Sequence, residues 1–175
     1  KICRSMTLRH PMEAMSTKIQ NPHGKGKILT FVGPPGVGKT AMADAIAEAM
    51  EMPFDHISFG SVKDSTVLTG HSSTYIGATA GMFTKVLLKS GRLDTVVLLD
   101  EIDKIPNTVE GVSIASVLYH VLDKTQNNRF KDMYMPEISI DLSKMIFLLS
   151  ANSLENIDPL IRDRMTVVEI NGYNV

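Results

Sequence analysis

Lys27 to Met50 reads K-I-L-T-F-V-G-P-P-G-V-G-K-T-A-M-A-D-A-I-A-E-A-M, a short apolar run followed by a glycine-rich turn and a stretch of helix formers. Ile28, Leu29, Phe31 and Val32 make a continuous apolar segment suited to a strand buried on both faces, and it stops at Gly33. From Lys39 to Met52 there is neither Gly nor Pro, and Ala, Met and Glu dominate, which predicts a helix. The turn therefore feeds straight into a helix N-terminus. Gly33, Gly36 and Gly38 let successive backbone N–H groups converge on an anion, because no Cβ obstructs the approach or forbids positive φ, and the helix dipole adds to the attraction. Within Gly33-Pro34-Pro35-Gly36-Val37-Gly38-Lys39-Thr40, Lys39 is placed to reach the β- and γ-phosphates of a nucleotide, and the Thr40 hydroxyl to ligate Mg2+. A glycine-rich turn that binds nothing is the plainer alternative, and the flanking strand and helix weigh against it.

The remaining composition narrows the class. A chain of 175 residues suits one domain. With 43% apolar and 21% charged residues it is ordinary globular material, neither disordered nor fibrous. A formal net charge of −1 gives no electrostatic case for nucleic acid or an acidic membrane. One cysteine, Cys3, excludes an internal disulfide and fits a reducing compartment, so an intracellular setting is expected, cytoplasmic or in an organelle matrix. No apolar run approaches the roughly 20 residues of a membrane span, and no secretory signal opens the chain. A start at Lys1 and an end just past a strand-like segment predict a piece of something longer.

In chain order, Lys1 to Gln20 is a weak helical pattern broken by Pro11, and Asn21 to Lys27 is a connector, so residues 1–26 are expected to precede a core spanning 27–175. Phe54 to Phe59 predicts a second strand. Gly60 to Ala80, rich in Gly, Ser and Thr without a sustained period, predicts a long loop of functional use. Gly81 to Ser90 suits a short helix ended by Gly91, with Met82, Val86 and Lys89, or Phe83 and Leu87, as its faces. Thr95 to Leu99 is another buried strand, and it ends in Asp100 and Glu101. Beside a phosphate loop, Asp100 can hold a water of the Mg2+ shell while Glu101 orients and polarises the attacking water; a solvated acidic strand end is the alternative. Glu110 to Asp123 places Val112, Ala115, Leu118, Val121 and Leu122 at helical spacing, as a core-facing helix. His120 on that helix reads as a partly buried structural residue. Asn127 to Asp141, around Pro136, predicts a hairpin or two short edge strands. Met145 to Leu149 is a further buried strand leading to Asn152, either a turn residue or a water-positioning group. Asp158 to Arg164 suits a short turn or helix, and Thr166 to Ile170 a last strand. The fold class expected is α/β: a five-stranded, mostly parallel sheet flanked by helices, with a small β-hairpin insertion.

G-P-P-G-V-G-K-T, G-H-S-S-T-Y-I-G-A-T-A-G, L-L-D-E-I-D-K, V-L-D-K-T-Q-N, S-A-N-S and R-D-R-M occur here in order. Together they resemble the AAA+ module of Lon-type ATP-dependent proteases, over nearly the whole chain. The phosphate loop and D-E pair would suit any AAA+ ATPase; the G-H-x-x-T-Y-I-G-A segment and the E-I-D-K to L-D-K-T-Q-N stretch are more particular to Lon. The resemblance implies the large subdomain of a P-loop NTPase using ATP and Mg2+, in a homo-hexameric ring that pulls an unfolded polypeptide through its pore.

On matching positions, the resemblance makes Asn152 the sensor that holds the nucleophilic water with Glu101. It makes Arg164 the arginine finger for a neighbouring subunit's γ-phosphate. One extra residue precedes the R-D-R-M motif, which keeps Arg162 as the reserve. Tyr75 and Ile76 resemble the aromatic-aliphatic pair of the pore loop; core packing under a loop is the alternative. Thr69, Ser72 and Ser73 stand where the family usually carries arginines, and Ser61 where it carries a Gly. The family's helical lid, with its second sensor arginine, and its Ser-Lys proteolytic domain are not in this sequence, so no residue here is assigned to peptide hydrolysis. The competing readings are a non-proteolytic AAA+ remodeller, a non-hydrolysing nucleotide-binding scaffold and, third, a DNA-directed AAA+ role.

Overall fold

A computed structural model describes residues 28–170. The helical pieces expected before Lys27, together with Cys3, His10 and His23, lie outside the described residues. Strand β1 (Ile28–Val32) runs into the glycine loop and helix α1 (Lys39–Ala49), then β2 (Phe54–Ser58). A short helix α2 (Thr66–Thr69) and helix α3 (Met82–Ser90) lead to β3 (Val96–Asp100) and α4 (Val109–Leu122). The chain continues through β4 (Phe130–Lys131), β5 (Ser139–Ile140), β6 (Ile146–Ala151), α5 (Pro159–Arg162) and β7 (Met165–Glu169).

The main sheet has five strands in the order β2-β3-β6-β1-β7, and all four of its pairings are parallel. Strands β4 and β5 pair antiparallel as a separate hairpin, Phe130 opposite Ile140. Val96 to Leu99 explains why the central strands read as unbroken apolar runs. Val97 and Leu99 enter the core on the side of α3 and α4, while Val96 and Leu98 enter the core that Ala43, Ile46 and Ala47 of α1 cover on the other side. Alternate side chains face opposite ways, and both faces are covered by helices.

Three details depart from the expected pattern. Residues 60–80 contain the four-residue α2, too short to leave a period. On α3 the buried face is Phe83, Thr84 and Val86, and Lys89 is exposed. On α4, Val112 is 62% exposed although Ala115, Leu118, Val121 and Leu122 are buried as expected; it lies about 60° round the helix from Ala115, outside the arc that these residues bury together with Gly111 and Ile114. His120 is half-buried, as expected, with its Nδ1 unpartnered among the described residues.

Candidate active site

In open parallel sheets, ligands bind at the carboxyl ends of the strands. Here the adjacent strands β3, β6 and β1 end at Asp100, Ala151 and Val32, so the acidic pair, Asn152 and the glycine loop meet at one rim. Gly33 has no room for a Cβ, because it would collide with the Ile170 carbonyl; the Ile170 N–H in turn donates to the Val32 carbonyl at 2.7 Å. Gly36 and Gly38 adopt φ values of 81° and 87°, which L side chains resist. Gly38 caps α1, whose first turn carries no acidic residue to compete with an anion.

Lys39 is 9% exposed, and its ammonium donates to the carbonyls of Gly33 (2.7 Å) and Pro34 (3.1 Å) and to Asn152 Oδ1 (2.9 Å). All three N–H groups are thus satisfied, which a buried ammonium requires. A phosphate oxygen entering the loop would exchange with one of these acceptors. Asn152 is thus held against Lys39 of the loop, a contact beyond that of a simple turn residue. Thr40 and Pro34, Pro35 and Gly36 are exposed at the loop surface, and Val37 is half-buried.

Asp100 Oδ1 accepts from Ser150 Oγ and from the Glu101 N–H (2.9 Å). Glu101 sits at φ 59°, a left-handed conformation costing on the order of 1 kcal/mol for a non-glycine residue. Its carboxylate accepts from Ser58 Oγ at 2.7 Å, toward β2, and Gly60 leaves it room because a Cβ there would strike Oε2. Asp100 and Ser58 are aligned across the β2–β3 register, which brings these groups together. Ser58 and Ser150 are site residues that the sequence did not single out; only the strand order makes them neighbours of the acidic pair.

Arg164 donates to the Tyr119 carbonyl (2.9 Å) and pairs with Asp123 Oδ2 (3.4 Å), its side chain 37% exposed, so the C-terminal end of α4 holds it. Arg162 is exposed on α5. Among the described residues, neither arginine's side chain hydrogen-bonds the loop. Tyr75 and Ile76 are 71% and 107% exposed, so the core-packing alternative for them fails.

A model for the ATPase family associated with various cellular activities (AAA) matches residues 29–173. The chain belongs to the AAA family of ATPases. As an AAA ATPase it binds ATP. The module is 43% identical over 165 residues, 94% of its length, to the Lon proteases of Paraburkholderia phytofirmans and Fervidobacterium nodosum. It is 37% identical over 173 residues, 99% of its length, to a Lon protease of Mycolicibacterium smegmatis. The module spans 20 to 22% of the length of these curated relatives. Among the described residues, no helix is long and apolar enough to cross a membrane.

Proposed function

We propose that this AAA module is the ATP-hydrolysing motor of a Lon-like ATP-dependent protease, which unfolds a polypeptide and draws it through the pore of a homo-hexamer. The observation that carries the reading is the gathering of Lys39, Asn152, Asp100 and Glu101 at the carboxyl ends of the central strands, with the exposed Tyr75 and Ile76 on a separate loop. One group suits turnover of ATP, the other suits contact with an apolar chain.

The loop amides and Lys39 bind the β- and γ-phosphates and hold the terminal phosphate in place. Glu101, once its carboxylate leaves Ser58, orients the attacking water and takes up its proton, and Asn152 steadies that water from the end of the adjacent strand β6. Arg164 of a neighbouring subunit, with Arg162 in reserve, supplies positive charge to the transition state. Thr40 and Asp100 form a donor set of hard oxygens that fits Mg2+: Asp100 Oδ1 is engaged by Ser150, which leaves Oδ2 for the cation's water shell. When bound, the ion would neutralise charge on the phosphate oxygens. A reducing intracellular compartment, cytoplasm or organelle matrix, suits such a machine; the formal charge of −1 gives no electrostatic case for nucleic acid in it.

The test is ATP hydrolysis by the natural full-length protein, with and without casein, beside Glu101→Gln. Hydrolysis raised by casein and lowered by at least about 100-fold in Glu101→Gln supports a substrate-coupled motor. ATP binding without turnover in either form would replace it with a nucleotide-binding scaffold.

A further inference from the structure

Residues 71–80 form a closed loop: the His71 N–H donates to the Thr79 carbonyl at 3.1 Å, and a turn from Ser72 to Ala78 presents Tyr75 and Ile76 to solvent. Side chains so exposed can do little to fix the tip, so its position is set at the base of the loop. Gly70 and Gly81 form that base, in contact so close that a Cβ on Gly81 would strike the Gly70 backbone.

Asp132 joins this base to the hairpin of β4 and β5. It is fully buried, and its carboxylate accepts from the Gly81 N–H (2.8 Å), the Tyr134 N–H (2.9 Å) and the Thr84 hydroxyl. A Cβ on Gly70 would collide with the same carboxylate. One residue on, the Met133 N–H donates to the Thr69 carbonyl at 2.6 Å. The hairpin is itself fixed, because Phe130 is buried and meets Phe83 edge-on at 5.6 Å. A buried carboxylate is costly unless its lone pairs are filled, and here three donors and the N-terminus of α3 fill them.

We infer that Asp132 is a positioning residue for polypeptide handling: it fixes the base of the 71–80 loop to the hairpin and so sets where Tyr75 and Ile76 meet the substrate. This rests on Tyr75 and Ile76 being the gripping pair. The neutral, isosteric Asp132→Asn turns an amide N–H2 toward donors and loosens the base. Thr84→Val removes one donor while keeping shape. Lys39, Asp100 and Glu101 lie outside this network, so basal turnover does not depend on it.

The experiment measures ATP hydrolysis by the full-length protein against casein concentration in Asp132→Asn, Thr84→Val and Tyr75→Ala. Expected are a rise of about tenfold in the casein concentration for half-maximal stimulation in Asp132→Asn, a smaller rise in Thr84→Val, and basal rates within about twofold of the parent. Unchanged casein dependence in both, with Tyr75→Ala impaired, overturns the inference alone; if Asp132→Asn does not fold, Thr84→Val decides. Loss of basal hydrolysis in step with casein response also overturns it, since that marks a purely structural residue. Normal stimulation in Tyr75→Ala overturns the underlying reading of the loop.

Discussion

In the proposed mechanism Glu101 must change partner to act. Its carboxylate is bound to Ser58 Oγ at 2.7 Å, and a hydrogen bond to a charged acceptor is worth about 1.5–3 kcal/mol. Ser58→Ala removes the competing bond without touching the phosphate loop. Basal ATP hydrolysis by the assembled protein is expected to rise several-fold, to a limit of about tenfold for each 1.4 kcal/mol released, with ATP affinity unchanged. A lower rate would mean that Ser58 supports Glu101 rather than restraining it. The loop glycines differ in their reasons for being glycine. Gly33→Ala drives a Cβ into the Ile170 carbonyl, a backbone obstacle, whereas Gly36→Ala meets open space but keeps a φ of 81°. Urea unfolding should find Gly33→Ala weaker by about 2–3 kcal/mol and Gly36→Ala by about 1 kcal/mol. Equal losses would mean that β7 yields freely.

Phe83 connects three elements. It is fully buried on α3 and meets Phe130 of the hairpin at 5.6 Å and Phe147 of β6 at 6.1 Å, both edge-on. Phe83→Ala should cost about 3–5 kcal/mol, read from the urea midpoint at constant slope. A loss below about 1 kcal/mol would mean that the hairpin repacks into the space. The sequence made such elements legible to different degrees. Val96 to Leu99 announced itself because a strand covered on both faces is apolar at every position, and the helix after Lys39 because no breaker interrupts it. The four-residue α2 spans barely one turn, so it carries no period to detect. Val112 keeps helical spacing with buried neighbours but lies beyond the margin of their arc, and spacing alone does not say how wide the buried arc is. Asp132, Ser58 and Ser150 were silent for another reason. Their partners lie 48 or more residues away in the case of Thr84 and Asp100, and 43 for Glu101, so pairing of distant elements assigns their roles.

Across the molecule, several carboxylates close turns in the same way, and this predicts how the whole fold responds to acid. Asp64, Asp123 and Asp141 each stand two residues before a Thr or Ser whose N–H or hydroxyl they accept: Thr66, Thr125 and Ser143. These hydrogen bonds hold all three carboxyls below the usual aspartate range, with Arg164 adding a smaller pull on Asp123. A carboxyl depressed in the folded state releases its proton more readily there than in the unfolded chain, so the unfolded chain binds more protons as pH falls. The stabilisation is therefore complete above the unfolded value, about pH 4, and is lost as pH drops through the lower folded values. Thermal unfolding should show a constant contribution from these groups between pH 7 and pH 5, then a midpoint that falls below about pH 4. The triple variant Asp64→Asn, Asp123→Asn, Asp141→Asn keeps an acceptor oxygen at each turn but cannot titrate. It is expected to be less stable than the parent at pH 7 and to lose less between pH 4 and pH 2, so the two curves converge in acid. Parallel curves would mean that acid sensitivity comes from other groups and that the three turns contribute through shape alone.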